Sequence, residues 1–479
     1  MYRLVPLLTT AMLLAGCAAE PHDDSFAAVQ SLAIDRMGKR VQWNGHSADD
    51  RAVDAAVHDL LARPLTADGA VQVALLNNRT LQATFEELGI AQADLVQAGL
   101  LKNPVLNVSI RFPTSPPSKT YLDFAVAENF LDVFLIPARK KIAAAQVEQA
   151  KARIASEVLE LAARTASAFY AWQGAQQRVE LLGTIAEAAA ASLDAATRLR
   201  QAGNTTELAY LSERAQADRA KVDLANARAD ATDARERLNA LMGVADDRLN
   251  WTAAGRLADV PAEEVRADGL EALAVRQRED LAATRSEVLT QARVYGLTVD
   301  TRFFASADVG AEAERETEGQ WRIGPTLALP IPLFDQGQAA IPRARAVLRQ
   351  SQQRYAALAI DIRSQVRAAR TRLLNARSTA RFYHDEILPT QQRLLDQTQL
   401  HYNGMLVGVF QLLQVKRDEI DAAVHYVNAL QSYWTARAEL ERAIGGRLPV
   451  RVLPPATQAA ATQPAAAGTG DSTHHGEHP

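Results

Sequence analysis

The chain has 479 residues, 52 basic against 56 acidic, a formal net charge of −4, 48% apolar residues and one cysteine. That near-neutral balance lacks the basic stripe a nucleic-acid partner requires, and the length allows two or three ordinary domains. Past the N-terminal segment no stretch reaches the roughly 18 apolar residues of a membrane-spanning helix, so the protein either stays soluble or crosses a membrane as strands.

In chain order the first feature is an export signal. Met1-Tyr2-Arg3 is a short basic start, residues 4–14 form an apolar core, and Leu14-Ala15-Gly16-Cys17 closes it. A small-residue cleavage site after such a core marks residues 1–16 for removal. The ending looks like a lipobox, in which Cys17 is acylated and becomes the mature N-terminus. A body without any other thiol suits an oxidising compartment. By similarity to lipoprotein sorting rules, Ala18 in place of aspartate favours the outer membrane. An acyl chain tethers a protein but makes no pore.

Next comes an internal repeat. Asn77-Asn78-Arg79-Thr80-Leu81-Gln82-Ala83-Thr84 stands against Gln277-Arg278-Glu279-Asp280-Leu281-Ala282-Ala283-Thr284. The order of features recurs at a similar offset: a moderate helix, two short strands, a very long helix, a Gly-containing turn and another helix. The repeats are set at 65–245 and 246–446. The preceding 17–64 form a lead-in, and 447–479 a disordered tail rich in Ala, Thr, Gln and Pro.

In the first long helix, Val158, Leu161, Thr165, Ala168, Trp172, Ala175, Val179, Leu182, Ala186, Ala189, Leu193 and Ala196 follow steps of three and four. In the second, Ala359, Ile362, Val366, Ala369, Leu373, Ala376, Ala380, Tyr383, Ile387, Thr390, Leu394 and Gln397 do the same. A sustained 3.5-residue period predicts coiled-coil packing, and Pro389 predicts a kink. Residues 138–202 would span roughly 95 Å, 205–242 about 55 Å and 66–101 about 50 Å, so two shorter helices match one long one. This is the arithmetic of a barrel wall of antiparallel helical hairpins.

Four segments alternate with period two: 103–112, 121–130, 297–305 and 321–329. The first puts Leu106, Val108, Ile110 and Phe112 opposite Asn107, Ser109 and Arg111. The third puts Leu297, Val299 and Phe303 opposite Thr298, Asp300 and Arg302, with 310–319 as its loop. Their length and pattern match strands of an outer-membrane barrel. Four strands cannot close a barrel, and open edges are forbidden in lipid. If they lie in a membrane, several chains share one barrel, and three chains give twelve strands. The fold class expected is mainly α with a small β part: an α-barrel of coiled-coil hairpins plus four transmembrane strands per protomer of a homotrimer. Two soluble hairpins with one wet face are the alternative.

These features, with Ala328-Leu329-Pro330-Ile331-Pro332-Leu333-Phe334-Asp335 entering the second long helix, resemble the TolC family of outer-membrane efflux proteins over about 50–446. The helical turns carry the likeness too, since Gly203, Leu208, Leu211 and Gly404, Val409, Leu412 both fit a Gly, x4, Leu/Val, x2, Leu pattern. Glycine ends one helix in a left-handed cap, and the apolar pair shares one face of the next. The resemblance implies that these six residues form a periplasmic tip meeting a periplasmic adaptor and an inner-membrane transporter. It also implies a loosely ordered lead-in around the barrel. Where family channels carry acidic residues after the second glycine, this chain has Phe410, Gln411 and Gln414, with Asp418 and Glu419 further on.

No phosphate loop, metalloprotease motif or nucleophile elbow is present, and the expectation is no enzyme and no cofactor. His474, His475 and His478 are candidate weak metal ligands, or an incidental polar tail. The implied function is an export duct for drugs or metal ions at the outer membrane. A periplasmic coiled-coil lipoprotein acting as scaffold or adhesin is the other reading, and it has no need of the strands.

Overall fold

The computed structural model describes residues 23–448 apart from 46–47, 113, 115–118, 130, 263–268 and 304–306. Cys17, the signal 1–16 and His474, His475 and His478 lie outside the described residues.

The lead-in is more ordered than expected. It holds two helices, α1 (Asp23–Met37) and α2 (Ala48–Ala62). Phe26, Val29, Ala33, Met37, Val41 and Val57 are buried, and the Phe26 ring meets Phe85 edge-on at 4.9 Å. The strap between them is held by side-chain amides. Gln82 Nε2 donates to the Gln42 carbonyl at 2.9 Å, and Gln82 Oε1 accepts from the Asn44 amide at 2.9 Å. Gln72 does the same with Arg40. Glutamines standing in for a neighbouring strand satisfy backbone that would otherwise need water.

Helices α3 (Ala67–Asn77) and α4 (Arg79–Gly99) break at Asn78, whose side chain caps α4 by accepting from the Leu81 amide. Strands β1 (Val105–Arg111) and β2 (Tyr121–Asn129) follow, then α5 (Leu131–Gln201) and α6 (Glu207–Met242). At 71 residues, α5 extends roughly 105 Å. It starts earlier than the sequence predicts and runs through Pro137, near enough to its N-terminus that little helical bonding is lost. The second half has α7 (Leu270–Gln277), α8 (Glu279–Asp300), β3 (Asp308–Arg315), β4 (Trp321–Ala328), α9 (Ala340–Phe382), a π turn (Tyr383–Ile387), α10 (Leu388–Asn403) and α11 (Val409–Ile444).

One joint occurs in both halves. Asn78 and Arg278 break their helices with nearly the same backbone, φ −67 and ψ 117 against φ −69 and ψ 120. Each break packs on the glycine that ends the last helix of its half. Asn77 Nδ2 donates to the Met242 and Gly243 carbonyls and Asn78 Nδ2 to Leu241, while Arg278 reaches the Ala443 carbonyl. Gly243 is left-handed at φ 66, and a Cβ there would stand 2.6 Å from the Asn77 carbonyl oxygen. Gly243→Ala therefore combines strain with a backbone collision. It should destabilise by about 2 kcal/mol or more, read as a lowered unfolding midpoint in denaturant.

Two main apolar clusters serve the two halves. Leu75, Leu81, Phe85, Val158, Leu161, Trp172, Leu238 and Met242 are among the first; Leu281, Ile362, Val366, Leu373, Tyr433 and Leu440 among the second. The predicted seam of α9 is buried from Ile362 through Ala380. Beyond it the seam moves by one residue: Thr390, Leu394 and Gln397 are exposed, while Gln391, Leu395 and Thr398 face inward. The π turn is the cause. The Leu388 amide bonds five residues back to Tyr383, the turn holds an extra residue, and it accommodates Pro389, which has no amide to donate.

The sheet runs β1-β2-β3-β4, all antiparallel, and joins the halves through β2 and β3. The third strand corrects the sequence reading. Residues 297–300 end α8, with Thr298 Oγ1 donating to the Val294 carbonyl and Thr301 Oγ1 to Leu297. The strand is Asp308–Arg315, and its turn is 316–320. Alternation misled because Leu297, Val299 and Phe303 are greasier than the small Ala311 and Ala313 that face outward in the real strand.

Candidate functional site

Register places one apolar face across all four strands. Val108, Phe124, Ala313 and Ile323 form one rung, and Leu106, Val126, Ala311 and Pro325 another. The small alanines of β3 leave room for Phe124 and Trp321 to stack across them at 6.4 Å. This face covers no core: Leu106, Val108, Ile110, Phe124, Val126, Trp321 and Leu327 are exposed, and Ile323 is 81% exposed. The opposite face carries Asn107, Ser109, Arg111, Asp123, Glu312, Glu314, Arg322 and Thr326 by the same register. Among the described residues, β1 and β4 each keep one unpaired edge. An exposed apolar face with two open edges is unstable in water.

A charged joint fixes the strands to the helices. Asp132, at the start of α5, is 2% exposed, bonded by Arg139 and 3.1 Å from Lys102 Nζ. The Arg139 hydrogen bond holds its carboxyl below the usual carboxylate range, against the opposing effect of burial, and Lys102 adds to it. A carboxyl with a depressed folded value stabilises above its ordinary range and loses that stabilisation as pH falls through the folded value. Asp132→Asn should therefore lower stability at neutral pH and flatten the acid loss, checked by denaturant midpoints at neutral and acid pH.

At the far ends of α5 and α10 sit the two helical turns. They lie at the same end of the molecule, because Ile420 of α11 packs with Ile185 of α5 and Ala217 of α6. In the first turn Gly203 is left-handed at φ 74, the Asn204 amide donates to Leu199 O and the Gly203 amide to Arg200 O. In the second, the Leu406 amide donates to His401 O and the Met405 amide to Tyr402 O. This is the same double-bonded cap, shifted by one residue. Gly404 has φ −81, and the left-handed residue is Met405 at φ 59. The helix caps follow suit, Thr206 and Gly408. Leu208 thus corresponds in space to Phe410 and Leu211 to Leu413, not to Val409 and Leu412. Leu208 and Leu211 are exposed, while Val409 and Leu412 are half-buried.

Further up α11 the acidic residues are engaged. Gln414 Nε2 donates to Asp418 at 2.7 Å, and Lys416 lies 2.6 Å from Glu419. Arg417 is 7% exposed and donates to Gln414 at 2.7 Å. Burial first, then Asp418, pushes the Asp421 carboxyl up. The sequence reading passed over Asp132, Met405 and Arg417. Only Met405 gave a signal, standing after a glycine between two helices. Among the described residues no group of three His, Cys, Asp or Glu side chains is placed to hold a metal.

Comparison with known proteins fits this geometry. The sequence profile of the outer membrane efflux protein family matches residues 70–244 and 271–446. The chain is 25% identical over 388 residues to the cobalt-zinc-cadmium resistance protein CzcC of Cupriavidus metallidurans, covering 80% of this chain and 91% of that one. Its fold is similar to the CmeC outer membrane channel of Campylobacter jejuni, with TM-score 0.64, 15% identity and coverage of 83% and 87%. It is also similar to the open MtrE outer membrane channel of Neisseria gonorrhoeae, with TM-score 0.64, 18% identity and coverage of 79% and 88%.

Proposed function

The chain belongs to the outer membrane efflux protein family, and from that premise we propose that three copies pool their strands into a twelve-stranded barrel above a helical periplasmic duct. The observation that carries this is the open sheet, with its uncovered apolar face and two free edges. Three sheets of four strands joined β4 to β1 remove every edge and turn the apolar faces to lipid, as a membrane demands. The polar face then lines the conduit. A scaffold or adhesin gives no account of that sheet.

The rest of the proposal follows from the site. Acylated Cys17 anchors the protomer in the outer membrane, and the tip residues Gly203, Leu208, Leu211, Gly404, Val409 and Leu412 meet a periplasmic adaptor joined to an inner-membrane transporter. The duct is passive, so energy comes from that transporter. Divalent metal ions are the favoured cargo, on the strength of the likeness to CzcC, with drugs as the other class. Purified protein in planar bilayers should give trimer-sized channels of uniform conductance; silent protein would overturn the duct. Deleting the gene should sensitise cells to cobalt, zinc or cadmium salts, and sensitivity to drugs alone would reassign the cargo.

A further inference from the structure

A cleft midway down the helices contains two hydrogen-bond donors that the chain leaves without an acceptor. Its walls are α5, α6 and the segment 251–256, which joins the two halves, and its volume is about 330 Å³. Trp172, on the α5 wall, stands roughly 60 Å along the helix from the strands. The joining segment is pinned. Arg235 of α6 donates to the Leu249 and Trp251 carbonyls at 2.8 and 2.9 Å, and the Leu65 backbone bonds Thr252 and Ala254. Trp251 Nε1 donates to Asn239 Oδ1 at 2.9 Å, and Gln173 Nε2 to the Gly255 carbonyl at 3.0 Å. Trp172 and Gln177 break that pattern. They are 5% and 6% exposed, yet Trp172 Nε1 and Gln177 Nε2 have no hydrogen-bond partner among the described residues.

A donor buried in this way gives up the water it bonded in the unfolded chain and regains nothing unless an acceptor reaches it. An indole N–H in particular finds a partner when buried. The charges beside the two donors select the acceptor. Arg235 and Arg256 wall the cleft, and Glu180 is the one acidic residue among its described lining, paired with Arg256 at 2.8 Å. One positive charge is therefore in surplus. The Arg235 guanidinium lies 4.4 Å from the Trp251 ring centre and 5.8 Å from that of Trp172, so it is fixed where its charge is felt. Two neutral N–H donors and one surplus cation match the oxygens and single charge of a carboxylate. A dianion such as sulfate carries a second charge that this lining does not balance.

We propose that this cleft binds an organic monocarboxylate, whose oxygens accept from Trp172 Nε1 and Gln177 Nε2 and whose charge Arg235 balances. The volume leaves room for carbon atoms behind the carboxylate. A free organic acid and the C-terminal end of a peptide share this chemistry. The site stands apart from both the sheet and the helical turns, and it holds whether or not the strands pool.

The test titrates the full-length protein in detergent, at fixed ionic strength, with acetate, with N-acetylalanine as a peptide end, and with sulfate as the dianion. Either carboxylate should raise the thermal midpoint saturably, and sulfate should not. A larger response to N-acetylalanine identifies a peptide end and a larger response to acetate a free acid; both sustain the site. Trp172→Phe keeps an aromatic ring without the N–H, and Gln177→Leu removes the amide at similar size. Each should weaken carboxylate binding by about tenfold or more. Gln177→Leu should also keep or raise the midpoint without ligand, because it removes an unbonded buried donor. Glu180→Gln releases Arg256 and should tighten binding by about threefold. No saturable response to either carboxylate overturns the proposal, since water or the next copy then serves the donors. A response equal in the parent, Trp172→Phe and Gln177→Leu overturns it too, as a general salt effect. Should Trp172→Phe fail to fold, Gln177→Leu and Glu180→Gln decide alone.

Discussion

Arginine at Ile323 or Phe124 should empty the outer membrane of this protein. Both side chains lie on one rung of the apolar face, flanking Ala313, and both are exposed in the protomer. In a lipid-facing barrel each arginine near the bilayer midplane costs about 2–4 kcal/mol. Three symmetric copies make that roughly 6–12 kcal/mol, comparable with the whole stability of ordinary domains, about 5–15 kcal/mol. One substitution therefore suffices to prevent assembly. Asp123→Asn, adjacent to Phe124 but on the opposite face, should insert normally. Outer-membrane fractions resolved without heating would show the trimer band lost for Phe124→Arg and kept for Asp123→Asn. Equal trimer levels would mean that the rung does not face lipid.

Paired Leu208→Asp and Val409→Asp should abolish export while leaving the trimer intact. Leu208 is 80% exposed at the end of its hairpin, so a carboxylate there meets water in the free channel and costs the fold little. In a docked assembly the same carboxylate is desolvated without a partner, a penalty of several kcal/mol per site repeated around the trimer. Val409 is half-buried at the start of α11, and aspartate suits a helix N-terminus, so the variant should fold. Adding Phe410→Asp, the spatial counterpart of Leu208, should deepen the loss. Accumulation of exported ions in cells with normal trimer levels checks the prediction; loss of the trimer itself would assign these side chains to folding. Gly404→Pro should also impair export: φ −81 suits proline, but the amide bond to Leu400 is lost and the ring crowds the last turn of α10, which ends at Asn403.

Much of the fold is legible in the residues because two periodicities are strong. Steps of three and four from Val158 to Ala196 locate α5, and β1, β2 and β4 announce themselves by bulky apolar residues alternating with polar ones. Legibility fails where a local rule is overridden. The π turn at Tyr383–Ile387 inserts a residue and rotates the seam, which a pattern running straight through Pro389 cannot register. β3 reads as a loop because glycine, alanine and glutamate are poor strand formers; pairing with β2 and β4 imposes the strand. The lead-in helices rest on a few apolar residues and on glutamine clamps that composition does not reveal. At the tips the spacing of Gly203 and Gly404 found both turns but set them one residue out of step, since no sequence rule puts a methionine where a left-handed glycine belongs.

Cysteine cross-linking between strand edges tests the pooled barrel most directly, in a chain whose only native cysteine is Cys17. Asn107→Cys on β1 would be combined in turn with Arg322→Cys, Gly324→Cys, Thr326→Cys or Ala328→Cys on β4 and oxidised in native membranes. Shared strands predict covalent dimers and trimers for the pairs in register, all reverting to single chains on reduction. Single chains throughout the series, cross-linked internally or not at all, would contradict it.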